Sequence, residues 1–212
     1  MIRGNFIAFE GIDGSGKSTQ AHRLADSMGA IMTFEPGATN IGKILRSVLL
    51  NPCDESASPV IRAEALLMAA DRAQHVDEVI EPALASGRTV VTDRFSASTI
   101  AYQGYGRGLQ IEPLQSIVDW AAGGLEPDLS ILIDLPIETA CLRMKNSSPD
   151  RLELLDKDFH QRVRDGFIEL AGKTPSRWLV VDGTLSADEL SGIILESVTE
   201  WMEVKPRMQG TA

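Results

Sequence analysis

Five short apolar runs punctuate the chain: FIAFE at residues 6–10, AIMTF at 30–34, TVVTD at 89–93, LSILID at 129–134 and WLVVD at 178–182. They are continuous rather than alternating and rich in branched or bulky side chains, which suits parallel strands covered on both faces. Between them the apolar positions recur at helical spacing. Ile41, Ile44, Leu45, Val48 and Leu49 mark a helix over 41–50, and Leu66, Leu67, Ala70, Ala73, Val76, Val79, Ile80 and Leu84 mark a long one over 61–86. Helices over 19–28, 112–122, 137–145, 156–171 and 187–202 complete the set. Strands that alternate with helices predict an α/β fold of three layers, a five-stranded parallel sheet flanked by helices. Glu10, Asp93 and Asp134 end their runs, and so belong at the carboxyl edge where such sheets bind ligands.

Composition narrows the function classes. A chain of 212 residues is long enough for one sizeable core and predicts a single domain over 1–212. A formal net charge of −10 argues against a nucleic-acid groove, which needs a basic face, although Arg143, Lys145 and Arg151 form a local cluster able to bind phosphate. Cys53 and Cys141 stand far apart without metal-ligand spacing and predict reduced thiols of a cytoplasmic protein. The start MIRGNFIAFEG is too short in its apolar run for a signal peptide, no window predicts a membrane span, and the tail VKPRMQGTA is expected to fray.

The densest chemistry lies directly after the first strand. Gly11-x4-Gly16-Lys17-Ser18 matches G-x-x-x-x-G-K-[ST], with a strand before it and an apolar-periodic helix after it. That context identifies a P-loop of the NTPase type. Gly11, Gly14, Ser15 and Gly16 let backbone N–H groups turn onto phosphate, and the helix that opens at Lys17, Ser18 and Thr19 adds its positive dipole end. Lys17 is expected to reach the β- and γ-phosphates of ATP, and Ser18 to offer its hydroxyl to Mg²⁺. Asp93 in TVVTDRF is a candidate to hold that metal through water, with Asp134 as its rival, since an acid at a strand end also serves as a helix cap. Arg94 follows at the same edge, where a transferring phosphate must lie.

Guanine readers of the N-K-x-D type are absent, which argues against a GTPase, and the chain is small for a motor or transporter ATPase. A kinase acting on a hydroxyl needs a carboxylate base. One acting on a nucleoside monophosphate does not, because its acceptor phosphate has a second pKa of about 6 and is mostly dianionic at neutral pH. It needs cations instead, which draws notice to Arg72, Arg94 and Arg151.

Four further stretches carry a resemblance. DRFSASTIAYQGYGRG (93–108) resembles the thymidylate kinase signature D-R-[YFH]-x-x-S-x-x-A-Y-Q-G, and ALLMAADRAQHVDEVIEPALASG (65–87) is similar to that family's long helix. FEPGATNIGKILRSVLL (34–50) resembles its R-E-P-G-G-T segment, and DRLE (150–153) the arginine-bearing end of its lid, here short and placed at about 143–153. The resemblance implies phosphorylation of dTMP to dTDP with ATP and Mg²⁺ in dTTP synthesis, by a homodimer of the bacterial type whose lid supplies a catalytic cation. It implies that Asp13 binds the deoxyribose 3′-hydroxyl, Arg94 clamps the acceptor phosphate and Arg72 meets the pyrimidine carbonyl. Ser98, Thr99 and Gln103 would line base and sugar beside Glu35 and Pro36, Tyr102 would crowd the 2′ position, and Arg151 would close over the phosphates as an arginine finger. Met68 replaces the family's thymine-stacking Phe, Phe34 replaces an Arg, and Ala38 replaces a Gly. The first keeps open an acceptor such as dUMP or a 5-modified dUMP. The second removes a cation that Arg46 or Lys43 could replace, and both keep open a nucleotide-binding homologue with little turnover. His22, His75 and His160 fall at positions that look solvent-facing or peripheral, and are expected to be structural.

Overall fold

The computed structural model describes residues 3–50, 58–145 and 150–208. Cys53 and positions 146–149 of the expected lid lie outside them. Five strands, β1 (Phe6–Glu10), β2 (Ile31–Phe34), β3 (Val90–Asp93), β4 (Leu129–Asp134) and β5 (Trp178–Asp182), form one parallel sheet in the order β2-β3-β1-β4-β5. Alternate side chains of β1 explain the layers. Ile7 and Phe9 join Val91, Ile131 and Ile133 under α1 (Lys17–Met28) and α9 (Ala187–Met208), against Leu24, Leu190 and Ile194. Phe6 and Ala8 face the opposite way, with Val90, onto Val76, Ile80 and Leu84 of the long helix that joins α3 (Ile61–His75), a π-helical turn and α4 (Glu81–Ala85). A strand buried on both faces has no polar side to expose, which is why its sequence does not alternate.

The remaining helices are α2 (Asn40–Leu50), α5 (Ser96–Thr99), α6 (Ile111–Ala121), α7 (Ile137–Met144) and α8 (Lys157–Lys173). The last begins one residue later than its expected range, because Asp156 is its cap, accepting from the Phe159 N–H at 2.7 Å. Residues 96–106 carry no apolar stripe, and the helix they form was not expected from spacing. It opens as α5 and continues over Ile100–Gly106 with π geometry, closed by Arg107 N–H donating to the Tyr102 carbonyl at 2.9 Å. Gly106 lets α8 approach: a Cβ there would lie 2.6 Å from the Phe159 ring. The tail expected to fray continues α9 as far as Met208. Among the described residues, no helix is long and apolar enough to cross a membrane.

Candidate active site

Register sets the site. Phe9 on β1 is level with Asp93 on β3, which is level with Phe34 on β2, so the loops after these three strands open side by side at the carboxyl edge. The loop after β1 begins with Gly11 at φ 142°, where a Cβ would lie 2.7 Å from the Ile133 carbonyl oxygen, and leads into α1 through Gly16 at φ 93°. Gly14, Ser15, Gly16 and Thr19 contribute this loop and the first turn of α1, and none of them lines the neighbouring cavity. Lys17 curls back over the loop, 6% exposed, donating to the Ile12 carbonyl at 3.4 Å and to Asp13 at 3.1 Å. Arg143 at the end of α7 bridges the loop to the turn after β5, with Nη1 3.4 Å from the Ser15 carbonyl and Nη2 2.8 Å from that of Gly183.

A cavity of about 260 Å³ opens beside Lys17. Asp13, Ser18, Asp93 and Arg94 line its phosphate-loop end. Glu35, Pro36, Met68 and Arg72 line one flank, and Ser98, Thr99, Tyr102 and Gln103 the other. The sequence-assigned acceptor residues are thus brought to one cavity from β1, β2, α3 and the α5 segment. Phe34 and Arg46 also border it, whereas Lys43 does not. Arg46 donates to the Pro36 carbonyl at 2.7 Å with its guanidinium 5.9 Å from the Phe34 ring centre, so a cation is present where the family's Arg has been lost.

Asp13 is the hub. Its Oδ1 accepts from Lys17 and from Arg94 Nη2, and its Oδ2 from the Tyr102 hydroxyl at 2.6 Å. Burial alone would raise this carboxyl, but the Arg94 and Lys17 charges outweigh it and hold it far below the usual carboxylate range. Arg94 reaches Asp13 from a left-handed backbone, φ 73°, which a non-glycine residue adopts only when its surroundings enforce it. Here they do. Its N–H donates to the Phe9 carbonyl at 2.9 Å, Nη1 to Gly11 O and Ser98 Oγ at 3.1 and 3.0 Å, and its guanidinium stacks 4.8 Å from the Tyr102 ring centre.

Glu10, placed at the carboxyl edge by its sequence but given no role there, braces this arrangement. Fully buried, it accepts from the Phe95 N–H at 3.0 Å and the Ser98 hydroxyl at 2.5 Å, and burial pushes its carboxyl up to about 7. On the other flank Arg72 donates Nε to Glu35 at 2.9 Å, and Nη2 to the Phe95 carbonyl and Thr99 Oγ1 at 3.0 Å each. Its Nη1 is buried without a partner among the described residues. Gln103 is held by Glu64 at 3.0 Å.

Two metal candidates separate. Asp93 meets the Ser18 hydroxyl through Oδ2, while its Oδ1 is buried and unpartnered among the described residues. Asp134 is taken by Arg164, which grips both oxygens at 2.6 and 2.8 Å. An unpaired carboxylate oxygen beside a hydroxyl fits a hard cation completed by phosphate and water. Among the described residues, no group of three or more His, Cys, Asp or Glu could hold a metal unaided.

Two placements differ from expectation. Arg151 does not line the cavity: Nε donates to the Leu49 carbonyl at 3.0 Å and Nη2 to the buried Glu64 carboxylate at 2.5 Å, because α3 offers an acid that Arg107 alone would leave partly satisfied. Its neighbours Asp150, Leu152 and Glu153 border the cavity instead, and burial, with Asp13 and Asp150 nearby, raises the Glu153 carboxyl. The acids flanking Arg151 in DRLE were the available signal for this. Secondly, His75 and His160 are not solvent-facing: His75 is 0% exposed and bonded to Glu35 and Thr33, and His160 is buried against Phe159.

Comparison with known proteins follows the same geometry. Residues 9–194 match the model of the family described as thymidylate kinase. The chain is 45% identical over 205 residues to the thymidylate kinase of Cupriavidus necator, covering 91% of this chain and 98% of that one. It is 47% identical over 196 residues to that of Carboxydothermus hydrogenoformans, covering 89% and 94%. A crystal structure of thymidylate kinase from Ehrlichia chaffeensis superposes with a TM-score of 0.71 at 34% identity, over 84% of this chain and 93% of that one. A phosphate loop on β1, a cation cluster around Asp13 and these likenesses across most of the chain together make it a member of the thymidylate kinase family.

Proposed function

We propose that this protein transfers the γ-phosphoryl group of ATP to dTMP, giving ADP and dTDP. The observation that carries the reading is Asp13 joining Lys17 of the phosphate loop to Arg94 of the acceptor side, so that one carboxylate spaces the cations of the two substrates. Lys17 and the loop amides hold the donor phosphates, and Arg94 holds the acceptor phosphate in line with them. No general base is needed, because an acceptor phosphate with a second pKa of about 6 arrives deprotonated. The chain's task is to bring two anions together and to hold fixed cations where charge develops. A carboxylate has about four acceptor positions and Asp13 uses three, two on Oδ1 and one on Oδ2, which leaves room for a sugar 3′-hydroxyl. The buried, unpaired Nη1 of Arg72 is the donor suited to a pyrimidine carbonyl.

Ser18 and Asp93 would hold Mg²⁺, which supplies charge neutralisation on the donor phosphates. Arg151, as it stands, braces Glu64 and through it Gln103. Met68 supports a second reading, because its flexible thioether lies at the cavity without a ring to stack on thymine. A coupled assay of ADP release over dTMP, dUMP, dCMP and 5-modified dUMPs decides between them. The first reading requires the highest kcat/KM for dTMP, and no ADP with any acceptor would refute both.

The residues are proposed to act as one domain in the cytoplasm, as a homodimer. Support for the dimer is an apolar face shared by Ile41, Ile44 and Val48 of α2 and Leu66 of α3, each 44% exposed or more. Light scattering on the wild type and on Ile44→Glu tests it, and an unchanged mass for the variant counts against that face.

A further inference from the structure

Arg72 borders the cavity and keeps one donor, Nη1, buried and unpaired among the described residues. The direction of its guanidinium is set by the other two nitrogens. Nε and Nη2 both engage Oε2 of Glu35, at 2.9 and 2.8 Å, so the guanidinium plane follows the Glu35 carboxylate. That carboxylate sits on the loop just after β2 and would turn about its own bonds if held at one oxygen alone. Its second oxygen, Oε1, is gripped by His75 Nδ1 at 2.9 Å, and His75 Nε2 lies 2.6 Å from the Thr33 hydroxyl on β2. A neutral imidazole protonated at Nδ1 satisfies both contacts: Nδ1–H donates to Glu35, and the Thr33 hydroxyl donates to Nε2. His75 follows Arg72 by three positions on α3, so both face β2 from the same side of the helix.

The chain of contacts Thr33–His75–Glu35–Arg72 is buried throughout, with His75 0% and Arg72 2% exposed. Glu35 and Arg72 line the cavity, and His75 and Thr33 do not. A histidine needed only to fill space would not require two aligned polar partners, since an apolar residue of like volume avoids the cost of burying imidazole.

We propose that His75 is a positioning residue for acceptor recognition, which fixes Glu35 and thereby the direction in which Arg72 presents its free N–H to the pyrimidine. The inference rests on the dTMP kinase reading and deepens it. His75 touches no phosphate-binding group, so its removal should act on the acceptor and spare the donor.

The test is steady-state kinetics on four variants, with dTMP varied at saturating ATP and ATP varied at saturating dTMP. His75→Leu should raise KM for dTMP by about 10-fold or more, the usual consequence of losing a hydrogen bond to a charged group, with KM for ATP within about twofold. His75→Asn, whose amide reaches the Nδ1 position, should restore most of the dTMP affinity. His75→Gln reaches only the Thr33 side and should not. Equal rises in both KM values, or a His75→Leu enzyme that binds dTMP normally but melts earlier, would overturn the proposal in favour of plain packing. Should His75→Leu fail to fold, Thr33→Val loosens the far end alone and should still raise KM for dTMP about twofold to fivefold, since it removes one ordinary hydrogen bond. An unchanged KM there overturns the proposal equally. A wild-type protein that phosphorylates no dTMP would instead sink the acceptor assignment on which the proposal stands.

Discussion

Replacing Arg151 with alanine separates two roles that the same signature allows. In the structure the guanidinium donates to Glu64 at 2.5 Å and to the Leu49 carbonyl at 3.0 Å, with its side chain 14% exposed. Removing one partner of a buried ion pair costs about 3–5 kcal/mol when the other is left bare. Glu64 would not be bare, since Arg107 remains at 3.1 Å and Gln103 at 3.0 Å. The loss should therefore fall to about 1–3 kcal/mol, the cost of leaving a buried polar group unsatisfied. For a chain of this size that corresponds to a fall in Tm of roughly 2–12 °C. Gln103 loses part of its anchor, so KM for dTMP should rise a few-fold while kcat stays within about tenfold, far short of the factor of about 10³ or more that an arginine finger supplies. Calorimetry and the coupled ADP assay read the two quantities on one preparation. The double variant Arg151→Ala, Glu64→Gln should be less destabilised than the sum of its parts, because both changes break the same pair. A kcat reduced by three orders of magnitude with an unmoved Tm would refute this reasoning and return Arg151 to the phosphates.

Three further outcomes follow from the site. Lys17→Ala should keep its fold by circular dichroism and lose nearly all ADP release, and activity near that of the wild type would remove Lys17 from the mechanism. Asp13→Ala should raise KM for dTMP far more than KM for ATP, because it frees Arg94 and Tyr102 together with the proposed 3′-hydroxyl acceptor, and comparable changes in the two would contradict that assignment. Glu10 sets a pH dependence. Burial pushes its carboxyl up to about 7 in the fold against 4.5 for a free glutamate, so between those values the native state keeps a proton that the unfolded chain has lost. Stability should then fall as pH rises through that window, by on the order of 3 kcal/mol, and level off above it. Denaturant unfolding at pH 4.5 and 7.5 should show that slope reduced in Glu10→Gln, and equal slopes would count against a raised Glu10.

Much of this was legible before any coordinates. Parallel strands buried on both faces leave continuous apolar runs, which is why three of the five, β1, β4 and β5, have the bounds their sequences imply and the other two differ by one residue. Residues 96–106 were opaque as a helix, since SASTIAYQGYG mixes small, β-branched and glycine residues without a 3.6-residue stripe. Packing against α8 and hydrogen bonds of π spacing make it one, and tertiary context overrides propensity there. His75 illustrates a different limit. On a helix surrounded by Gln74, Asp77 and Glu78 it looks wet, and only the position of β2 buries it. Arg151 shows why a motif can locate a residue without aiming it. DRLE places the backbone near the cavity, but the direction of a long side chain depends on which buried acid stands within reach, and Glu64 lies 87 positions away.

The order β2-β3-β1-β4-β5 also bears on how the enzyme comes into being. β1, the first strand made, is the middle strand, and its neighbours are β3 and β4, whose pairing begins at Phe6 with Val90 and at Ile7 with Leu129. A nascent chain therefore carries its phosphate loop through more than half of synthesis with no strand on the β4 side to hold the loop's root. Contacts so distant in sequence form slowly and leave apolar strands waiting. ATP, which stabilises only what it binds, can then assist folding only after β4 has docked, and the early chain depends on its own helices or on chaperones until that point.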